Sequence, residues 1–277
     1  MYRLLGAIVI ATVAGLATPA WAAAPGNIEV IAHRGGSVNA PENTLAACAL
    51  ARAQQADACE FDIQQTKDHQ LVLMHDETLS RTTDVEQVFP GRSPWHVADF
   101  TLAEIRRLDA GSWFSSRYRD ERVPTLREAL DQLGGSGTGL LLEVKHSPRS
   151  PDIDQQVAAV LQETRDQWRG NLVLQTFDWR ALRVVHDQVP EVPIVLLGNP
   201  SLEQLRGVAD YVRGVTLSQR LVTEEYIKEL RRKHMRVYAI AGGRRPVIRR
   251  LMGYGVDGIL TSNPERVAEL TWRRGGR

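Results

Sequence analysis

At 277 residues and 43% hydrophobic content the chain can bury one large core, and about 250 residues is the usual size of a single α/β barrel. Lys and Arg number 34 against 33 Asp and Glu, a formal net charge of +1, so no global basic field exists to hold nucleic acid or an anionic membrane. Recognition of an anion has to be local.

The chain opens with Arg3, an apolar run from Leu4 to Ala17, and then Pro19 with small residues at Ala20 and Ala22. This is the pattern of a cleaved export signal, residues 1–22, and it predicts a periplasmic or secreted protein with no stable membrane anchor after cleavage. Gly6, Thr12 and Gly15 interrupt the run, which disfavours an uncleaved anchor. The mature chain, 23–277, is read as one domain.

From Ile28 onward short β-branched runs alternate with longer amphipathic stretches, as in a parallel sheet with crossover helices. The predicted strands are 28–32, 58–64, 139–144, 172–176, 194–197, 212–217, 237–240 and 258–261. Eight alternations close into a (β/α)8 TIM barrel. Helices are predicted over 42–54, 152–168, 179–188, 223–233 and 245–253, and the tail 272–277 reads as a frayed basic end.

A ninth run, 71–74, follows the second strand after a turn too short for a parallel crossover, so it must fold back as a hairpin. It begins an inserted segment after the second strand, about 65–123, that carries Trp95, Phe100, Trp113, Phe114 and Tyr118. These aromatics either cover a site or form a satellite core. Cys48 falls in a predicted helix and Cys59 at a strand start. Their spacing leaves a disulfide open, two buried thiols being the simpler expectation.

Barrels carry their chemistry at the C-terminal ends of the strands. The first strand ends in His33-Arg34-Gly35-Gly36, the second holds Glu60 and Asp62, and the third leads through Glu143 into Lys145. Residues two apart on a strand share a face, so Glu60 and Asp62 point together, opposite Phe61 and Ile63. With Glu143 they form an oxygen set suited to one hard divalent ion, Ca²⁺ or Mg²⁺. His33 and His75 each end an apolar run, and two imidazoles beside a metal make an acid and base pair. Arg34 can fork two phosphate oxygens and Lys145 can add a point charge. Glu42 starts the first helix or faces the pocket. The other five histidines, among them His69 and His146, lack a convergent partner in the sequence.

These residues, with Pro41-Glu42-Asn43-Thr44, Thr66-Lys67-Asp68, His75-Asp76 and Arg81-Thr82-Thr83, resemble the glycerophosphodiester phosphodiesterase family. Pro124-Thr125-Leu126-x-Glu128, Thr176-Phe177 and Gly255 to Thr261 extend the resemblance over nearly the whole mature chain. It implies a barrel with an insertion and hydrolysis of a small-molecule glycerophosphodiester to sn-glycerol 3-phosphate and an alcohol. His33 and His75 would be the catalytic pair, Glu60, Asp62 and Glu143 the metal ligands, and Arg34 and Lys145 the phosphate contacts. Direct hydrolysis and a cyclic phosphate intermediate both remain open, as does the order of the histidines. Tyr238 to Ala241 and Thr261-Ser262-Asn263-Pro264 depart from the family's Trp-Thr-Val-Asn and Thr-Asp-x-Pro runs at the pocket rim. Phe177 and Tyr238 are candidates for the apolar side of the pocket. Alternative readings are a phospholipase D-like enzyme acting on lysophospholipids or sphingolipids, and a non-catalytic phosphodiester-binding protein.

Overall fold

The computed structural model describes residues 27–179 and 181–275; the predicted export signal lies outside them. Nine strands form one sheet: β1 (Glu29–Ala32), β2 (Ala58–Gln65), β3 (Leu71–Leu73), β4 (Gly139–Val144), β5 (Leu172–Thr176), β6 (Ile194–Leu197), β7 (Val212–Ser218), β8 (Arg236–Ile240) and β9 (Gly258–Thr261). All but β3 are parallel, and β1 pairs with both β9 and β2, so eight strands close into a barrel. Eight helices follow the eight barrel strands: α1 (Leu45–Ala53), α2 (Leu126–Leu133), α3 (Ile153–Glu163), α4 (Leu182–Gln188), α5 (Leu202–Arg206), α6 (Glu224–Arg232), α7 (Arg245–Tyr254) and α8 (Pro264–Gly275).

Buried on both faces, parallel strands read as apolar runs, and the alternation along them builds two cores. Cys59, Phe61, Ile63, Leu140, Leu142 and Val144 face outward and pack under the helices. Ile31, Ala58, Leu141, Val173, Val195, Tyr238 and Leu260 fill the barrel's interior. The same period of two, continued from Ala58 and Leu141, turns Glu60, Asp62 and Glu143 inward near the strand tips. The β2–β4 register places Asp62 opposite Glu143.

Helix starts follow the caps. The first helix was predicted from Glu42 but begins at Leu45, because the Thr44 hydroxyl accepts the Ala47 N–H at 3.1 Å. Helices α2 and α5, unassigned by periodicity, each start in a capping box, Thr125 with Glu128 and Ser201 with Gln204. The predicted 152–168 helix breaks at Thr164 into α3 and a single turn, Arg165–Trp168. The tail expected to fray continues the helical backbone to Gly275.

Cys48 and Cys59, whose pairing the sequence leaves open, form a disulfide between α1 and β2, with Cα atoms 5.8 Å apart. Helix and strand pack face to face there, and that separation is within the normal span of a bridge.

The inserted segment begins with β3, antiparallel to β2, and returns to the barrel at Thr125, the cap of α2. It has its own core of Val72, Met74, Leu79, Val85, Val97, Phe100, Ile105, Leu108, Ala110 and Val123. Phe89 and Trp95 pack against it, and the Trp95 indole donates to the Phe89 carbonyl at 2.9 Å. Of the two readings of its aromatics, a satellite core holds for Phe100 and Trp95. Trp113 instead stays 40% exposed, and the Tyr118 hydroxyl reaches across to the Asn39 carbonyl at 3.1 Å.

Candidate active site

Three carboxylates, Glu60, Asp62 and Glu143, each offer an oxygen within 4.8 Å of the others, all buried. After β1 the chain turns sharply, with Arg34 at φ 54° and Gly35 at φ 78°. Gly35 lies so close to α1 that a β-carbon there would come 2.9 Å from the Ala47 methyl. This turn aims the Arg34 N–H at Glu60 Oε2, 2.7 Å away, and sets the guanidinium Nε 3.7 Å from Asp62 Oδ2. Asn43 clamps Asp62 from below: its amide donates to Oδ2 at 2.9 Å and its Oδ1 accepts the Asp62 N–H at 3.0 Å. Lys145 Nζ lies 2.9 Å from Asp62 Oδ1 and 2.5 Å from Glu143 Oε1.

These groups are not electrostatically balanced on their own. Burial, reinforced by Asp62 and Glu143, raises the Glu60 carboxyl well above its ordinary range. Burial and Asp62 raise Glu143 to about 7. Burial also opposes ionisation of Asp62, but Lys145 and the Asn43 amide outweigh it and hold Asp62 low. Among the described residues Glu60 Oε1 is buried with no hydrogen-bond partner. A buried carboxylate oxygen without a donor, beside two further carboxylates, fits a bound cation.

The two candidate catalytic imidazoles come from different parts of the fold. His33 follows β1; burial, then the Arg34 charge, lowers its pKa to about 4, and its Nδ1 lies 3.5 Å from the Ser262 hydroxyl. Ser262 in turn receives the Ser37 hydroxyl at 2.9 Å. His75 follows β3 in the inserted segment, and its Nδ1 meets Asp76 Oδ1 at 2.7 Å. Asp76 is gripped by Arg81, Arg81 also grips Glu42, and Glu42 Oε1 accepts from Arg34 at 3.1 Å.

A cleft of about 1140 Å³ opens beside the carboxylates, lined by His75, Glu143, Lys145, His146, Phe177 and Trp179 among others. Phe177 is 65% exposed at its wall. Tyr238 does not line it: the ring packs inside the barrel, where a β-carbon on Gly258 would lie 2.8 Å from it. Its phenol sits among Glu29, Arg236 and Asp257, away from the strand tips. Glu42, expected at the helix start or the pocket, is a half-buried ion-pair partner of Arg34 and Arg81.

Sequence reasoning gave no role to Asn43, Ser262 or His146. His146 lines the cleft but both ring nitrogens are occupied, Nε2 by Asp154 at 2.8 Å and Nδ1 by the Thr176 hydroxyl at 3.0 Å. Its adjacency to Lys145 at a strand tip was the available signal.

Residues 33–266, spanning this whole arrangement, match the Glycerophosphoryl diester phosphodiesterase family. The chain belongs to that family. A glycerophosphodiester phosphodiesterase of Caldanaerobacter subterraneus is 34% identical over 250 residues, covering 89% of this chain and 98% of that one. One from Bacillus subtilis is 31% identical over 274 residues, covering 90% of each. A solved Oleispira antarctica phosphodiesterase, in complex with its product sn-glycerol-3-phosphate, superposes with a TM-score of 0.78 at 29% identity, covering 88% of this chain and 96% of that one.

Proposed function

We propose that this family member hydrolyses glycerophosphodiesters to sn-glycerol 3-phosphate and an alcohol, with one divalent ion held by Glu60, Asp62 and Glu143. The observation that carries the reading is the buried carboxylate trio with an unpartnered Glu60 oxygen, flanked by two imidazoles and two cations. All-oxygen ligands suit Ca²⁺ or Mg²⁺. When bound, such an ion supplies charge stabilisation to the phosphoryl oxygens.

The chain's own residues do the rest. Arg34 and Lys145 meet the remaining phosphate oxygens, the guanidinium by a fork and the ammonium as a point charge. His33, neutral at pH 7 with a pKa of about 4, is in the form that takes a proton from the attacking water as the new P–O bond forms. Asp76 holds the His75 ring through Nδ1, which leaves Nε2 to give a proton to the leaving alkoxide as the old P–O bond breaks. The proton left on His33 passes to solvent and His75 takes one up from it, which restores the pair. The exposed Phe177 offers an apolar wall to the carbon skeleton of the bound diester.

Export is proposed on the N-terminal apolar run and on the Cys48–Cys59 disulfide, which persists in an oxidising compartment. Among the described residues no helix is long and apolar enough to cross a membrane.

Product identity tests the reaction. Glycerophosphocholine incubated with the protein and Mg²⁺ or Ca²⁺ should yield sn-glycerol 3-phosphate and choline. Glycerol and phosphocholine as products, or no turnover by folded protein with any divalent ion, would overturn it.

A further inference from the structure

Among the described residues Arg81 touches both Asp76 and Glu42, and it comes from the inserted segment. Its Nε donates to Asp76 Oδ2 at 2.6 Å and its Nη2 to Asp76 Oδ1 at 3.1 Å. On its other edge Nη1 donates to Glu42 Oε2 at 2.8 Å and Nη2 to Glu42 Oε1 at 2.7 Å. One guanidinium thus forks two carboxylates at once. Each carboxylate then holds a residue that faces the reaction: Asp76 holds His75, and Glu42 holds Arg34.

We infer that Arg81 is a positioning residue for hydrolysis, fixing the orientation of the His75 imidazole through Asp76 and of the Arg34 guanidinium through Glu42. The inference rests on the reading of His75 and Arg34 given above. A carboxylate only accepts, so its contact with His75 Nδ1 keeps the proton on that nitrogen and leaves Nε2 for the cleft. Asp76 can do this only if it is itself immobile and ionised. The bonds from Arg81 hold it at about 2 and remove its freedom to rotate.

The Glu42 limb serves a second purpose. Glu42 stands in the loop between β1 and α1, whereas His75, Asp76 and Arg81 stand in the inserted segment, so this limb indexes the segment's histidine to the barrel's arginine. Lysine cannot replace the geometry, because a single ammonium cannot present parallel donors to two carboxylates. The arrangement differs from an ordinary surface ion pair, which contributes little, in that both acceptors are already committed to groups at the site.

Arg81 is 43% exposed, so an added guanidinium ion can reach the space its side chain would vacate. The test compares kcat on glycerophosphocholine for the full chain, Arg81→Ala and Arg81→Lys, with thermal midpoints measured alongside. Second-layer partners of this kind are worth about 10- to 100-fold in activity. Arg81→Ala should lose that much kcat without a comparable loss of thermal stability and regain a substantial part in millimolar guanidinium, while Arg81→Lys should stay low. Adding Asp76→Asn to Arg81→Ala should cost far less than Asp76→Asn alone, since both act along one path. Arg81→Lys or Arg81→Ala within twofold of the parent kcat would overturn the inference. So would a loss matched by a lowered thermal midpoint that guanidinium does not restore, or fully additive losses. Failure of the underlying reading shows separately, as full turnover by His75→Ala whatever Arg81 does.

Discussion

The barrel and the inserted segment contribute to the same site but hold their residues by different means. His33, Glu60, Asp62, Glu143 and Lys145 stand at or just beyond strand tips of a closed parallel sheet, where neighbouring strands and two cores fix every backbone atom. His75, Asp76 and Arg81 stand in a segment tied to the barrel by the short hairpin β2–β3 and packed on a small separate core. The barrel therefore fixes charge by register, and the segment fixes an imidazole by a polar chain through Arg81 and Glu42. In the proposed reaction, ion binding belongs to the first region and half of the proton transfer to the second.

The largest effects should divide along that line. His75→Ala and His33→Ala should each lower kcat by about 10²- to 10⁴-fold while divalent ion binding, followed by calorimetry, is kept. Glu60→Gln should abolish ion binding and turnover together; retained ion affinity would remove Glu60 from the ligand set. Phe100→Ala, in the segment's core, should cost about 3–5 kcal/mol as a cavity beneath the segment. If the two regions are distinct, its activity should fall before the barrel unfolds, with ion binding outlasting turnover as temperature rises; simultaneous loss of both would merge them.

Smaller effects probe the barrel alone. Cys48→Ser with Cys59→Ser opens a loop of separation 11, worth roughly 3 kcal/mol in the chain-entropy account, and should lower the thermal midpoint with kcat unchanged. The pH response is the finest probe. The raised carboxyls of Glu60 and Glu143, the latter at about 7, favour the protonated folded form, so their contribution to stability is present at low pH and lost as pH rises through about 7. Chelated protein should accordingly be less stable at pH 8 than at pH 6, and a divalent ion should remove the difference. Because the ion displaces those protons, its affinity should weaken below pH 7, by about tenfold per pH unit for each proton released. An affinity flat from pH 6 to pH 8 would contradict the raised carboxyls.

How much could be read in advance follows the same division. Period-two alternation through Ala58, Glu60 and Asp62, with a charged tip on each of three runs, was enough to bring the three carboxylates together and to place the barrel, because a closed sheet leaves each inward position one location. The hairpin after β2 was legible from a turn too short for a crossover. Helices α2 and α5 were missed by periodicity although Thr125 with Glu128 and Ser201 with Gln204 announced them. The disulfide was open because sequence separation carries no distance between β-carbons. Tyr238 illustrates the limit on β8: a strand residue reads as rim or as core until its depth along the barrel axis is known. Arg81 joins partners 5 and 39 residues away, a meeting that only the packed segment creates.

The most direct test of the central claim is release of sn-glycerol 3-phosphate from glycerophosphocholine by protein stripped with a chelator, before and after Mg²⁺ or Ca²⁺ is returned. Negligible release when stripped and full release on restoration, absent in Glu60→Gln, is the expected result. Equal release by protein verified to be free of metal would contradict it.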